Sequence, residues 1–193
     1  WTTGKIGNAL SFDGVDDYVD CGNNIVLNPT QEITVEAWIK QNILPPREGQ
    51  WMIVSKHRGY LPNNQSYLLG LHGNGAISFY ISEDGQNFFR RLSDIQITDY
   101  NWHHVAGVFK GNTILDVFID GVKHNEKLYF RAQAPPSYET STIPSSIAVT
   151  PIHVEIGNWY EGINKYAFNG LIDEVRIYNR ALSADEILQH YQA

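Results

Sequence analysis

The sequence predicts an all-β chain, an antiparallel sandwich or barrel, finished by one short C-terminal helix. Three observations carry this. Apolar and polar residues alternate with period two in one segment after another, as half-buried strands require. Turn dipeptides separate these segments at roughly ten-residue spacing, the rhythm of sandwiches and barrels. Helical periodicity is confined to the extreme C-terminus.

The elements follow in order. Residues 33–40 alternate and stop at Pro45-Pro46. Residues 52–56, 66–72, 76–82, 104–109 and 115–119 repeat the pattern. Gly73-Asn74-Gly75, Asp84-Gly85, Lys110-Gly111-Asn112 and Asp120-Gly121 lie between strands, where they supply positive φ at low cost. Residues 154–157 and 174–178 add two late strands, and Arg90 and Arg91 are expected to end a strand just after Phe88-Phe89. Residues 183–190 read as a helix with Ser183 and Glu186 at capping-box spacing, docked by Ile187, Leu188 and Tyr191. Residues 42–50 and 133–146 read as loops. The second is taken as a long loop within one domain spanning 1–193, because the strands on both sides are alike and neither half alone closes a core.

A chain of 193 residues can bury a sizeable core without staples. Its 14 basic and 21 acidic side chains give a net charge of −7. That balance argues against a nucleic-acid groove and against docking on an anionic membrane. The single Cys21 excludes an intrachain disulfide and a cysteine metal cage. No apolar run approaches the length of a membrane span. The chain starts at Trp1 rather than Met, as expected of a fragment or a processed form.

An ordered set of segments narrows the fold. It comprises Ala9-Leu10-Ser11-Phe12-Asp13-Gly14-Val15-Asp16-Asp17-Tyr18-Val19, then Ile33-Thr34-Val35-Glu36-Ala37-Trp38-Ile39-Lys40. Trp102-His103-His104-Val105-Ala106-Gly107-Val108 and Val117-Phe118-Ile119-Asp120-Gly121 follow. Ile156-Gly157-Asn158 and the stretch from Phe168-Asn169-Gly170-Leu171-Ile172-Asp173-Glu174 to Leu182-Ser183 complete it. From about Gly7 to Tyr191 this order resembles the laminin-G-like, concanavalin A-like jelly-roll domains appended to secreted bacterial polysaccharide-degrading enzymes. The resemblance implies two antiparallel sheets, one concave and one convex, with the first and last strands adjacent. It also implies a lectin-like, non-catalytic carbohydrate-binding module that holds a polysaccharide or oligosaccharide on the concave face or loop rim. Such a module is expected to be secreted, monomeric by itself and tethered to a catalytic domain. The same fold serves as a protein-interaction or adhesion domain of surface proteins, which is the alternative.

The resemblance further implies a structural calcium ion. Because the chain ends meet in that family, Asp13 and Asp173 are expected to share it. Asp16, Asp17 and Asp20 lie nearby, and Gly7, Gly14 and Gly170 let carbonyls approach a cation. The alternative is a solvated turn, with Asp173 pairing Arg176. Among the tryptophans, Trp38 and Trp102 fall at core-type positions of the family, and Trp51 either staples its strand or is exposed. Trp159 and Tyr160 follow a Gly-Asn turn into a polar loop, where an aromatic pair suits stacking on a sugar ring, or a loop folded on itself. Arg58 and Tyr60 lie in the loop after a strand. Tyr80 has the parity opposite to Ile77, Phe79 and Ile81, so it faces away from the core. Arg90 and Arg91 either pair with Glu83, Asp84 or Asp94 or join these aromatics in a basic patch suited to an acidic or sulfated sugar. The histidines show no metalloprotease spacing, and His103-His104 reads as structural. Asn64-Gln65-Ser66 is a glycosylation sequon, which matters only in a host that glycosylates.

A hydrolase of this architecture needs two facing carboxylates. Within the alternating strands, Glu36, Asp116 and Glu155 lack an acidic neighbour two residues away that shares their strand face. Asp173 and Glu174 are adjacent and point to opposite faces. The sequence therefore predicts no enzyme.

Overall fold

Alternation along the strands sorts the chain into two layers. The computed structural model describes residues 1–46, 49–59, 63–131, 137–159 and 166–193. Among these the strands are β1 (Thr2–Thr3), β2 (Asn8–Asp13), β3 (Val19–Asp20), β4 (Glu32–Gln41), β5 (Gln50–His57), β6 (Gln65–His72), β7 (Ala76–Ile81) and β8 (Phe88–Gln96). They continue as β9 (His103–Lys110), β10 (Ile114–Ile119), β11 (Val122–Lys123), β12 (Leu128–Arg131), β13 (Tyr138–Glu139), β14 (Glu155–Ile156) and β15 (Asn169–Tyr178), followed by helix α1 (Ala184–Gln192). One sheet has the order β1-β2-β15-β4-β9-β10-β11 and the other β13-β12-β8-β7-β6-β5-β14-β3. Every pairing is antiparallel. β15 lies between β2 and β4, so both chain ends share one sheet, as the resemblance implies.

The core forms where the two inner faces meet. Val35, Ile39, Val105 and Phe109 of the seven-stranded sheet pack on Ile53, Leu69, Leu71, Ile77, Phe79 and Ile81 of the other. A Cβ at Gly107 would fall on the Phe79 ring, which fixes a close approach of the layers there. A bulge in β5 between Met52 and Val54 turns Ile53 and Val54 both inward.

Helix α1 forms as its capping box predicts. Ser183 accepts from the Glu186 N–H, and Glu186 reaches back to the Ser183 N–H. Ile187 is fully buried, and Tyr191 stacks on Trp38 at 5.6 Å. Trp38 is thus buried between the sheet and the helix rather than between the sheets. Trp51 is in the inter-sheet core, and Trp102 is half-buried before β9. β8 runs on through Arg90 and Arg91 to Gln96 instead of ending there. β1, β3, β11, β12 and β13 span too few residues for alternation to announce them. β13 lies within the segment 133–146 that reads as loop, and Asn112 N–H donates to Pro144 O at 2.9 Å, tying that segment to the β9–β10 turn. No helix among the described residues is long and apolar enough to cross a membrane.

Candidate functional site

Residues paired directly across strands share a sheet face. On the outer face of the eight-stranded sheet this places Asp20 opposite Glu155, Glu155 opposite Ser55 and Ser55 opposite Leu68. The row continues through Tyr80, Arg90 and Tyr129 to Glu139. The neighbouring row, Val19, Ile156, Val54, Leu69, Phe79 and Arg91, faces the core.

Midway along the outer row, Met52, Leu68, Tyr80, Phe88 and Trp159 form an apolar cluster separate from the core. Gly157, at φ 84°, turns the chain out of β14, and a Cβ there would meet the Phe12 ring. Ser55 Oγ then holds the Asn158 carbonyl at 3.2 Å, which sets Trp159 over the sheet. Its ring lies flat on His57, centroids 4.4 Å apart and planes 17° apart, with Tyr166 edge-on at 4.4 Å. Tyr80 packs edge-on to Phe88 at 4.8 Å and donates its hydroxyl to Gln50 Oε1 at 3.0 Å. The Arg90 guanidinium lies 5.9 Å from the Tyr80 ring and 5.5 Å from Tyr129, and that of Arg131 lies 5.7 Å from Phe88. Between these groups is a small cavity of about 50 Å³. Trp159 Nε1 and Arg90 Nε are buried donors without a hydrogen-bond partner among the described residues. Burial, with the Arg131 charge adding, pushes His57 down to about 3; burial and Arg90 push His72 down to about 4. Both imidazoles are therefore neutral at neutral pH.

A larger cavity of about 420 Å³ opens at the β14–β3 end of the same row. Tyr18, Asp20, Arg58, Pro151, Ile152, His153 and Glu155 line it. Both Asp20 oxygens lie 2.9 Å from His153 Nδ1, and Oδ1 accepts the Gly22 N–H at 2.7 Å. The His153 bond, more than the backbone one, holds the Asp20 carboxyl below its ordinary range. Behind the sheet, buried Lys56 donates to Asn23 Oδ1 and the Ile152 carbonyl. Burial lowers its ammonium to about 8.

Of the residues expected to bind sugar, the fold brings Trp159, Tyr80 and Arg90 together and sets Arg58 in the larger cavity. Trp159 and Tyr80 are only 8% and 7% exposed, so they offer edges and a donor rather than open plates. Arg91 is a correction. One residue from Arg90, it must point to the opposite face, and its guanidinium donates to the Leu115 carbonyl at 2.9 Å and the Glu126 carbonyl at 2.7 Å. Tyr60 and Tyr160 lie outside the described residues. His57, His72, Arg131 and the Asp20–Glu155 pair go unnoticed in the sequence. A search for acids alternating along one strand misses a pair that meets only across two.

The expectation that Asp13 and Asp173 share an ion is also corrected. Asp13 faces Asn169, so Asp173 lies four residues farther along β15, about 13 Å away. Asp173 Oδ2 accepts the Ile6 N–H at 3.0 Å and Oδ1 the Glu174 N–H at 2.9 Å, so it pins the N-terminal segment directly. Arg176 pairs with Glu174 and Glu36 rather than with Asp173. Among the described residues the acids that converge are Asp13, Asp16 and Asp17, whose carboxylate oxygens lie within 4.8 Å of one another. This all-oxygen donor set fits calcium.

Residues 13–188 match the family model of the concanavalin A-like lectin/glucanases superfamily. The chain belongs to this superfamily. Among solved structures, this superfamily member is similar to domain 4 of AbnA, a GH43 extracellular arabinanase of Geobacillus stearothermophilus, solved with arabinotriose. The TM-score is 0.63 and the identity 20%, over 97% of this chain and 78% of that one. It is similar to the CBM40 of the Ruminococcus gnavus IT-sialidase, solved with α2,3 sialyllactose, at TM-score 0.65 and 12% identity over 95% and 96%. The binding domain of Paraclostridial Mosquitocidal Protein 1 superposes at TM-score 0.69 with 14% identity, over 98% of this chain and 44% of that one. At such identities the likeness is one of fold. Calsyntenin-1 of Drosophila melanogaster is 28% identical over 96 residues, 48% of this chain. The match spans about a tenth of that protein, 10% of its length.

Proposed function

We propose that the domain is a non-catalytic carbohydrate-binding module that holds a polysaccharide on the outer face of the eight-stranded sheet. One observation carries the reading. The face opposite the helix presents an aromatic and arginine cluster whose buried donors Trp159 Nε1 and Arg90 Nε have no partner among the described residues, beside a ligand-sized cavity. Apolar ring faces and hydroxyl-bonding groups on a rigid sheet are what a sugar needs, and binding requires little rearrangement. The superfamily and the sugar-bound AbnA and CBM40 domains support it. In a secreted polysaccharide-degrading protein, such a module raises the effective concentration of substrate at a tethered catalytic domain. A structural calcium at Asp13, Asp16 and Asp17 belongs to the same proposal. The second reading, a protein-binding or adhesion domain, draws on the calsyntenin match and on the exposed Ile25, Val26 and Val149.

The test is a polysaccharide array of neutral, uronic and sulfated polymers, run in calcium and in chelator. Retention of the folded domain by one polymer class is the expected result. A folded domain that no polymer retains overturns the sugar reading and favours a protein partner.

A further inference from the structure

The hydrogen bonds of the outer-face aromatic cluster run in one direction. Ser78 Oγ donates to the Gly70 carbonyl at 3.3 Å, so it accepts the Gln50 amide Nε2–H at 2.9 Å. Gln50 Oε1 accepts the Tyr80 hydroxyl at 3.0 Å, and His72 Nε2, 3.2 Å away, therefore donates to the Tyr80 oxygen. Each of these groups is answered by the next. The groups beside this chain are donors. His57 Nδ1 accepts the Gly59 N–H at 3.3 Å, which puts the proton of its neutral ring on Nε2. Trp159 Nε1 and Arg90 Nε are buried donors with no partner among the described residues. Arg131, which also lines the cavity, brings N–H groups and no acceptor.

The charge of the cluster has one sign. Arg90 faces Tyr129 and Arg131 faces Phe88 across β8 and β12. The two arginines are thus diagonal neighbours on one face, their backbones about 7–8 Å apart, within reach of long side chains. Among the described residues, no carboxylate lines the cavity of the cluster. Ser55 and Leu68, buried beneath the Asn158–Trp159 segment, separate it from Asp20 and Glu155. At the far end of the row, Glu139 pairs with Lys127 at 2.7 Å.

Resting on the proposed sugar-binding role, we infer that this cluster is the seat of an anionic group, so the sugar taken there is an acidic one bearing a carboxylate or a sulfate. Either group only accepts hydrogen bonds, and so matches a lining of donors. Arg90 and Arg131 bracket the anion from β8 and β12, and Trp159 Nε1 donates to one of its oxygens. A neutral ring offers hydroxyl oxygens without the charge.

The test measures affinity by calorimetry at physiological salt. The probes are polygalacturonate, alginate and κ-carrageenan, each beside its neutralised form, methyl-esterified or desulfated, with arabinan and xylan as neutral polymers. At least one acidic polymer binds about tenfold more tightly than its neutralised form, the worth of one charge-assisted hydrogen bond. Which pair responds separates carboxylate from sulfate. The preference disappears in Arg131→Gln and in Arg90→Gln, and it persists in Lys123→Gln, which removes the same charge from the other sheet. Thermal melts accompany each variant. Because Arg90 lies against both Tyr80 and Tyr129, the exposed Arg131 decides the matter if Arg90→Gln is unstable. Equal affinity for acidic and neutralised forms, or a preference that survives in the folded arginine variants, overturns the anionic seat. Retention of neutral polymers alone overturns it too and leaves the sugar-binding role standing. A folded domain that binds no polymer overturns both.

Discussion

The two outer faces of the sandwich carry the same kinds of side chain to different ends. Outside the seven-stranded sheet, Glu36 is buried at 1% exposure beneath α1. His190 Nδ1 approaches it to 3.0 Å, Arg176 Nη1 to 3.5 Å and His104 Nε2 to 3.6 Å. Trp38 lies beside them under Tyr191, with the Lys5 ammonium 4.3 Å from its ring. Outside the eight-stranded sheet, tryptophan, histidines and arginines gather again, and no helix among the described residues covers them. On the covered face Glu36 gathers its partners, with His104 Nδ1 the buried atom left over; on the open face Trp159 Nε1 and Arg90 Nε have no partner among the described residues. Residue type does not mark a binding site. What marks it is whether the fold has already supplied each group with its partner.

The sharpest way to break this comparison is at Glu36. Burial acts to raise its carboxyl, but the bonds to His104 and His190 outweigh this and hold it below the ordinary range. Glu36→Ala leaves the Arg176 guanidinium and the two imidazoles beneath the helix without their acceptor. It should cost about 3 kcal/mol, lowering Tm by about 10 °C, with polysaccharide affinity unchanged. Thermal melts and array binding check both halves. A loss of affinity at constant Tm would reverse the roles assigned to the two faces.

The faces also differ in how they respond to pH. His103, at the start of β9, lies 2.7 Å from Asp120 and 2.6 Å from Asp99. The Asp120 bond, offset in part by burial and aided by Asp99, raises it to about 8. Its contribution is complete below the unfolded value near 6.5 and lost as pH rises through 8, about 2 kcal/mol in all. His57 and His72 are depressed, so the unfolded chain takes protons they refuse, and stability falls as pH drops below about 6.5. Denaturant unfolding between pH 4 and about 7.5, below the range in which Lys56 loses its proton, should therefore give a dome, and His103→Gln should flatten only its alkaline side. Between about pH 5 and 8 His57 and His72 stay neutral, so neither should change sugar affinity at the aromatic cluster over that range.

How much of this was legible depends on the range of each signal. Strands β4, β6, β7, β9 and β10 and the Ser183 cap are written in local periodicity and spacing and stand where the sequence puts them, whereas β15 begins at Asn169 rather than at residue 174 and β8 outruns Arg91. The parity of Tyr80 is legible for the same reason. The opposite directions of Arg90 and Arg91 follow from the same rule once β8 is known to continue to Gln96. The Asp20–Glu155 pair is different, because only the β3–β14 register brings these residues together, and both strands are two residues long. The Asp13–Asp173 expectation fails likewise on register. Knowing that two strands are neighbours does not say which residues face each other.

Trp159→Phe sharpens the open side of the comparison. Phenylalanine keeps the stack on His57 and removes the unanswered indole donor. Stability should hold or rise slightly, because an unpaired buried N–H is gone, and affinity should fall about tenfold through the lost bond to the sugar. A drop in Tm with unchanged affinity would make Trp159 a packing residue only.

The smallest effect concerns the ends of the chain. Asp173 already fastens the N-terminal segment through the Ile6 N–H, so an ion at Asp13, Asp16 and Asp17 would secure only the local turn. Asp13 Oδ1 accepts the Val15 N–H at 2.8 Å, and Asp17 Oδ2 the Asp13 N–H at 3.0 Å, so the turn closes without metal. Calcium at ten times its dissociation constant should therefore add about 1.4 kcal/mol, raising Tm by about 4 °C. Asp16→Asn, which spares both turn bonds, should abolish that rise while leaving the melt in chelator unchanged. Asp173→Asn should do the reverse, lowering the melt in chelator and keeping the response to calcium. A calcium response that survives Asp16→Asn and disappears in Asp173→Asn would return the ion to the junction of the two chain ends.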